Sequence, residues 1–153
     1  MTNPFPAPVM SGPELMRFIG EVFPAAMDFG FDIEQVESGR VVLSLTTDAA
    51  RARPGGTVSG PDMMTLADTA MWALTLAHVG PEPMTVTANL SIHFLRRPEP
   101  GTLFAEATLL KLGGRLVVGE VAIRGQGDAA PVAHATVTYS VPPPHKRAGR
   151  RQE

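Results

Sequence analysis

The sequence contains no cysteine. Disulfides, thiolate nucleophiles and thiolate metal sites are therefore excluded, which fits a reducing cytoplasm as the expected location. An excess of charge of one sign is missing too. Thirteen Lys and Arg against fifteen Asp and Glu leave a net charge of −2, so nothing draws the chain to nucleic acid or to an anionic membrane. No unbroken apolar run approaches the roughly 20 residues of a membrane span. The opening MTNPFPAPVM lacks the basic start and apolar core of a signal peptide. The histidines are scattered without ligand spacing, so no metal is expected. No serine lies in a nucleophile elbow, and Gly55-Gly56 lacks the strand–glycine–helix spacing of a dinucleotide fingerprint.

At 153 residues the chain is long enough for one domain with a real core, placed at residues 1–141. The basic, Pro-led end at 142–153 is expected to be disordered. The stretch that organises the rest is 55–79, GGTVSGPDMMTLADTAMWALTLAHV. Ser59-Gly60-Pro61-Asp62 is a helix-start pattern with proline in the first turn. The residues after it are almost all apolar, small or Thr, which predicts a helix buried on all sides by the sheet or by a partner subunit. Ser11-Gly12-Pro13-Glu14 repeats the start pattern, predicting a shorter helix at 13–21 that stops near Pro24. Alternating stretches predict strands at 29–37, 41–46, 84–95, 102–112, 116–124 and 132–141. In 84–95, Val86, Ala88, Leu90, Ile92 and Phe94 should face one way, and Thr85, Thr87, Asn89, Ser91 and His93 the other. Short turns make the strands antiparallel, and the class α+β.

Asp68 is the only charge within the apolar run 63–77. A buried carboxylate is costly unless it is paired. Either an arginine from a neighbouring strand pairs with it, or it is held in a dry cleft as a general base or nucleophile. At the helix start, backbone N–H groups from Gly60 onward are unpaired and partly positive, and such donors can hold an oxyanion. Gly60 and Asp68 are eight residues apart, about 12 Å along a helix axis. Both must lie within about 3–3.5 Å of a reacting group to serve it. A two-fold dimer with helices side by side brings Gly60 of one subunit to Asp68 of the other.

The segment GTVSGPDMMTLADTA, with TANLSIHFLRRP, Gly101 and Gly113-Gly114-Arg115-Leu116 after it, resembles the hotdog-fold acyl-CoA thioesterases of the phenylacetate-degradation (PaaI-like) type. The resemblance runs over about residues 28–141. It implies a hotdog fold, in which a curved antiparallel sheet of five to six strands wraps one long helix. It also implies hydrolysis of an acyl- or aryl-CoA without a cofactor, in a homodimer or homotetramer. Asp68 stands at the family's catalytic carboxylate, and Gly60 at the glycine whose N–H polarises the thioester. The resemblance further implies substrate contacts at Arg53, Ser59, Pro61, Thr69 and Thr87. Ser59 replaces the family's usual His, Pro61 its last glycine, and Arg53 an Asn or Gln. Those departures leave a second reading open, a hotdog subunit that binds acyl thioesters without cleaving them. Arg96, Arg97, Lys111 and Arg115 are either contacts for coenzyme A phosphates or solvated charges at strand ends.

Overall fold

The computed structural model describes residues 2–47, 50 and 52–146. Its elements in chain order are α1 (Gly12–Val22), α2 (Pro24–Asp28), β1 (Phe31–Glu37), β2 (Arg40–Thr46), α3 (Gly60–Val79), β3 (Val86–Phe94), β4 (Thr102–Leu112), β5 (Leu116–Gly125) and β6 (Ala133–Ser140). A 3-10 turn, Pro144–Lys146, follows, and the rest of the expected basic tail lies outside the described residues.

The six strands form one antiparallel sheet in the order β1-β2-β4-β5-β6-β3. This is the α+β class that the strand and helix pattern predicts, in the hotdog layout that the resemblance implies. The sheet curves round α3, and Leu66, Met71 and Leu74 on the helix pack fully buried against Leu43, Leu103, Val117, Val121 and Val137. Gly55 and Gly56 lead into α3 at φ 91° and 81°, a backbone region that glycine enters without steric cost.

Two expectations need correction. First, a short second helix stands where only a stop near Pro24 is expected. Proline is well placed as its first residue, because its missing N–H would be unpaired there anyway. The N–H groups of Phe29 and Gly30 then close the turn onto Ala26 O and Met27 O, so β1 starts at Phe31 rather than at 29.

Second, β3 does not alternate evenly. The β3–β6 register slips between Thr87 and Asn89, so Ala88 is an extra, bulged residue. Thr87 lies opposite Tyr139, and Leu90 lies opposite Val137. Tyr139 and Val137 are both in the core. The bulge thus places Thr87 on the helix-facing side with Leu90, Ile92 and Phe94, not on the opposite side.

Within one chain α3 is covered on all but one side, which leaves cover by a partner subunit as the open alternative. Pro61, Met64 and Thr65 are exposed, and Asp68, Thr69 and Trp72 are only half-buried. At helical spacing these residues form a single stripe along the helix.

Helix and sheet come close at Gly119 of β5. A Cβ there would stand 2.6 Å from Met71 Sδ and 2.7 Å from the Thr108 carbonyl oxygen. Met71 can swing away, but the backbone carbonyl cannot. Gly119→Ala should therefore lower stability by about 1–3 kcal/mol, the usual range for overpacking. Chemical denaturation of the purified variant checks this, and a loss below about 0.5 kcal/mol, within the range of an ordinary surface change, would contradict it.

Candidate active site

The site grows from the first two turns of α3. Ser59 has extended backbone (φ −70°, ψ 153°), and its Oγ accepts the Asp62 N–H at 3.1 Å. Met63 N–H donates to Ser59 O at 3.1 Å. Pro61 has no N–H to offer. Of the first four residues of the helix, that leaves Gly60 as the one whose N–H is neither missing nor engaged by the cap. The Phe94 ring stands over Gly60, its Cζ 3.4 Å from where a Cβ would sit. A cleft of ≈ 390 Å³ opens there, lined by Gly60, Met63, Phe94, Arg96 and Arg97 among others. Lys111 and Arg115 sit apart from it, at the β4–β5 hairpin.

Two turns along α3, Asp68 lies at the edge of the open stripe. No arginine reaches it among the described residues, so the ion pair considered from the sequence is not formed among them. Two hydroxyls take that place. Tyr139 of β6 donates to Asp68 Oδ1 at 2.7 Å and lies 3.0 Å from its backbone carbonyl. Thr87 Oγ1 of β3 donates to the same Oδ1 at 2.8 Å. Oδ2 carries no hydrogen bond among the described residues. One carboxylate oxygen is thus anchored to two strands, and the other is left for a ligand or water. The bulge at Ala88 is what aims Thr87 at this carboxylate, a use of bulges common beside reactive groups.

Burial, and then the negative charge of Asp68 beside it, push the Tyr139 phenol up from its ordinary value. Tyr139 is therefore a protonated donor across the working range. It is the chain's only tyrosine and sits at an inward-facing strand position, yet the alternation of 132–141 marks it only as core. A lone polar tip at a core position was the available signal, since a buried phenol O–H usually finds a partner.

The remaining expected contacts scatter along the same helix face. Thr65 Oγ1 donates to Pro61 O at 3.0 Å and Thr69 Oγ1 to Thr65 O at 2.7 Å, so the Thr69 proton is spent on the helix. Arg53 closes a turn through its backbone, accepting from Gly56 N–H and donating to Thr57 O, with its side chain exposed. Within one chain Arg53, Ser59 and Gly60 cluster before and at the start of α3, while Asp68, Thr69 and Thr87 gather farther along. Among the described residues no three His, Asp or Glu are grouped to hold a metal, and no helix is long and apolar enough to cross a membrane.

The raised Tyr139 value carries a sign. Above the ordinary tyrosine value of 10.0 the unfolded chain releases this proton while the folded chain keeps it. Stability from Tyr139 is therefore complete below pH 10 and falls as pH rises beyond it. Tyr139→Phe should cost about 1.5–3 kcal/mol near pH 7, the range for a hydrogen bond to a charged group. The gap between variant and wild type should narrow from pH 10 upward. Melting curves across pH check this, and a gap that stays constant or widens would contradict it.

Residues 55–139 match the family model described as thioesterase superfamily. Among solved structures, a Silicibacter sp. TM1040 protein described as a candidate thioesterase is 43% identical, with a TM-score of 0.81 over 89% of this chain and 94% of that one. The E. coli PaaI protein of the phenylacetic acid degradation operon is 23% identical, with a TM-score of 0.74 over 86% of this chain and 93% of that one. Zebrafish thioesterase superfamily member 2 is 16% identical, with a TM-score of 0.74 over 87% and 99%. The last two are similar in fold alone. Among curated proteins none matches.

Proposed function

The chain belongs to the thioesterase superfamily, and from that premise we propose that it hydrolyses an acyl- or aryl-CoA thioester at Asp68. The observation that carries the reading is the carboxylate anchored through Oδ1 by Tyr139 and Thr87, with Oδ2 unengaged. Oδ2 takes a proton from the attacking water, or itself adds to the carbonyl carbon and forms an anhydride that a water then cleaves, releasing the acid and restoring the carboxylate. In either case negative charge grows on the thioester oxygen, the C–S bond breaks and the thiolate leaves. The free N–H of Gly60 at a helix N-terminus is suited to that oxygen. The helical distance favours a Gly60 that comes from a second subunit. Thr87 acts as an anchor for the carboxylate, and Arg96 and Arg97, beside Gly60, are placed to meet the phosphates of the carrier.

A dimer also resolves the exposed apolar surface. β3 is an edge strand whose Val86 and Phe94 are about half-exposed, and Met64 and Trp72 lie on the open stripe. An open edge beside an apolar stripe invites a second copy. Sedimentation at micromolar concentration should give a dimer or a tetramer built from it, whereas a stable monomer would remove the shared site. The use of Ser59 Oγ as a helix cap favours a second reading, since no imidazole stands at that position: thioesters are bound but not cleaved.

Asp68→Asn separates these readings. It keeps the size of the side chain and an acceptor for Tyr139 but removes the charge. Turnover of a panel of acyl-CoA thioesters, followed by thiol release, should fall about 10²–10⁴-fold. Because the chain has no thiol of its own, background is low. A folded variant that retains turnover within about threefold of wild type would refute a catalytic Asp68, since the low end of the expected loss is a hundredfold.

A further inference from the structure

A second cleft flanks the open stripe of α3. It has a volume of ≈ 360 Å³ and lies between α2 and α3, lined by Phe23, Ala25, Ala26, Phe29, Thr65 and Thr69. We propose that this cleft receives the acyl group of the thioester, and that it selects a neutral, apolar group over one ending in a carboxylate. The proposal rests on the thioesterase reading for the word acyl, but its physical content is a binding preference that can be measured without turnover.

Position is the first argument. Thr65 is three residues before Asp68 on the helix, which puts their Cβ atoms about 5–6 Å apart, and Thr69 is its immediate neighbour. A thioester carbon held at Asp68 therefore has this cleft within one helical turn. The cleft at Gly60 is walled by two arginines instead, and suits the charged end of the same molecule.

The chemistry of the walls is the second argument. The phenylalanines and alanines of the α2 segment are apolar. The two threonine hydroxyls donate their protons to Pro61 O and Thr65 O, so neither has a hydrogen left for a ligand. Within one chain no cation lines the cleft among the described residues. The one charged group on its wall is Asp28, whose carboxylate has no ion-pair partner among the described residues. A carboxylate at the far end of an acyl chain would lose water, find no donor and meet a like charge. An alkyl or phenyl group meets none of these costs and buries apolar area.

The chain supplies its own reporter. Trp72 is the only tryptophan, and its indole stands edge-on to Phe23 at 6.4 Å between centroids and 61° between planes. Occupation of the cleft against Phe23 should therefore change Trp72 fluorescence.

The test titrates the full-length protein with three stable probes: coenzyme A, S-hexyl-coenzyme A and S-carboxypentyl-coenzyme A. None has a thioester to hydrolyse. The hexyl probe should bind at least about tenfold more tightly than the other two and should alone change Trp72 emission, a discrimination within reach of an apolar pocket. Ala26→Phe, which fills the cleft, should abolish the hexyl preference and leave coenzyme A binding near wild type. Asp28→Ala, at an exposed position, should tighten the carboxypentyl probe toward the hexyl one, and it gives an answer even if Ala26→Phe fails to fold. Equal affinities for hexyl and carboxypentyl probes in the wild type, or no binding of any probe, overturn the proposal. A hexyl preference that survives in folded Ala26→Phe overturns the location. Hydrolysis of hexanoyl-CoA and adipoyl-CoA at equal kcat/KM would sink the cleft while sparing the thioesterase reading. Discrimination among the probes without any hydrolysis would do the reverse.

Discussion

A long helix that is apolar round its girth needs more cover than one open sheet can give. Six strands curve round α3 and bury Leu66, Ala67, Ala70, Met71, Ala73, Leu74, Leu76 and Ala77 fully. At about 1.5 Å per residue the helix is roughly 30 Å long, and an eleven-residue strand such as β4 reaches about 36 Å, so the sheet spans its length. What the sheet lacks is circumference. Because β1 and β3 do not meet, the helix keeps one uncovered stripe. Pro61, Thr65, Asp68, Thr69 and Trp72 all lie on it. The chemistry, the acyl cleft and the subunit contact proposed above thus share one cause, the failure of the sheet to close.

That stripe also explains how a carboxylate is tolerated in so apolar a helix. At a fully enclosed position a lone charge would be prohibitive. Asp68 is instead half-buried at the edge of the stripe, where two strands reach it with neutral donors. Neutral hydroxyls satisfy one oxygen without cancelling the charge. An arginine in their place would form an ion pair and compete with any proton or substrate carbon for the carboxylate. The pairing found is therefore the kind that orients a reactive group rather than the kind that neutralises it.

Much of this is legible in the sequence, and what is not has physical reasons. The helix limits follow from Ser59, Pro61 and Gly80, because caps and breakers are local chemistry. The strand count follows from alternation. The phase of β3 does not, since a bulge is a property of two paired strands and Ala88 carries no mark of being the extra residue. Reading straight alternation through it turns Thr87 away from the helix. Tyr139 is obscured for a related reason: its ring obeys the core pattern, and only the hydroxyl at its tip meets Asp68, 71 positions away in sequence. The α2 helix escapes notice because Pro24 can stop one helix or start another, and residue types alone do not say which.

The departures at the start of α3 bear on how the site works. A side chain at position 59 can cap the helix or reach toward a ligand, and the serine caps. Oxyanion stabilisation by a helix N-terminus does not need that side chain, because it comes from backbone donors and the dipole behind them. The cap consumes the Asp62 N–H, the helix consumes the Met63 N–H, and proline removes its own. Among the described residues Gly60 is left as the single unspent donor of the turn. Ser59 and Pro61 together therefore concentrate the positive end of α3 on one N–H group. They keep the part of the site proposed to polarise a carbonyl, while whatever an imidazole at position 59 would contribute is gone. The two readings of the site divide at that point, for the anchored Asp68 and the Gly60 donor form a hydrolytic pair only if the chemistry can proceed without it.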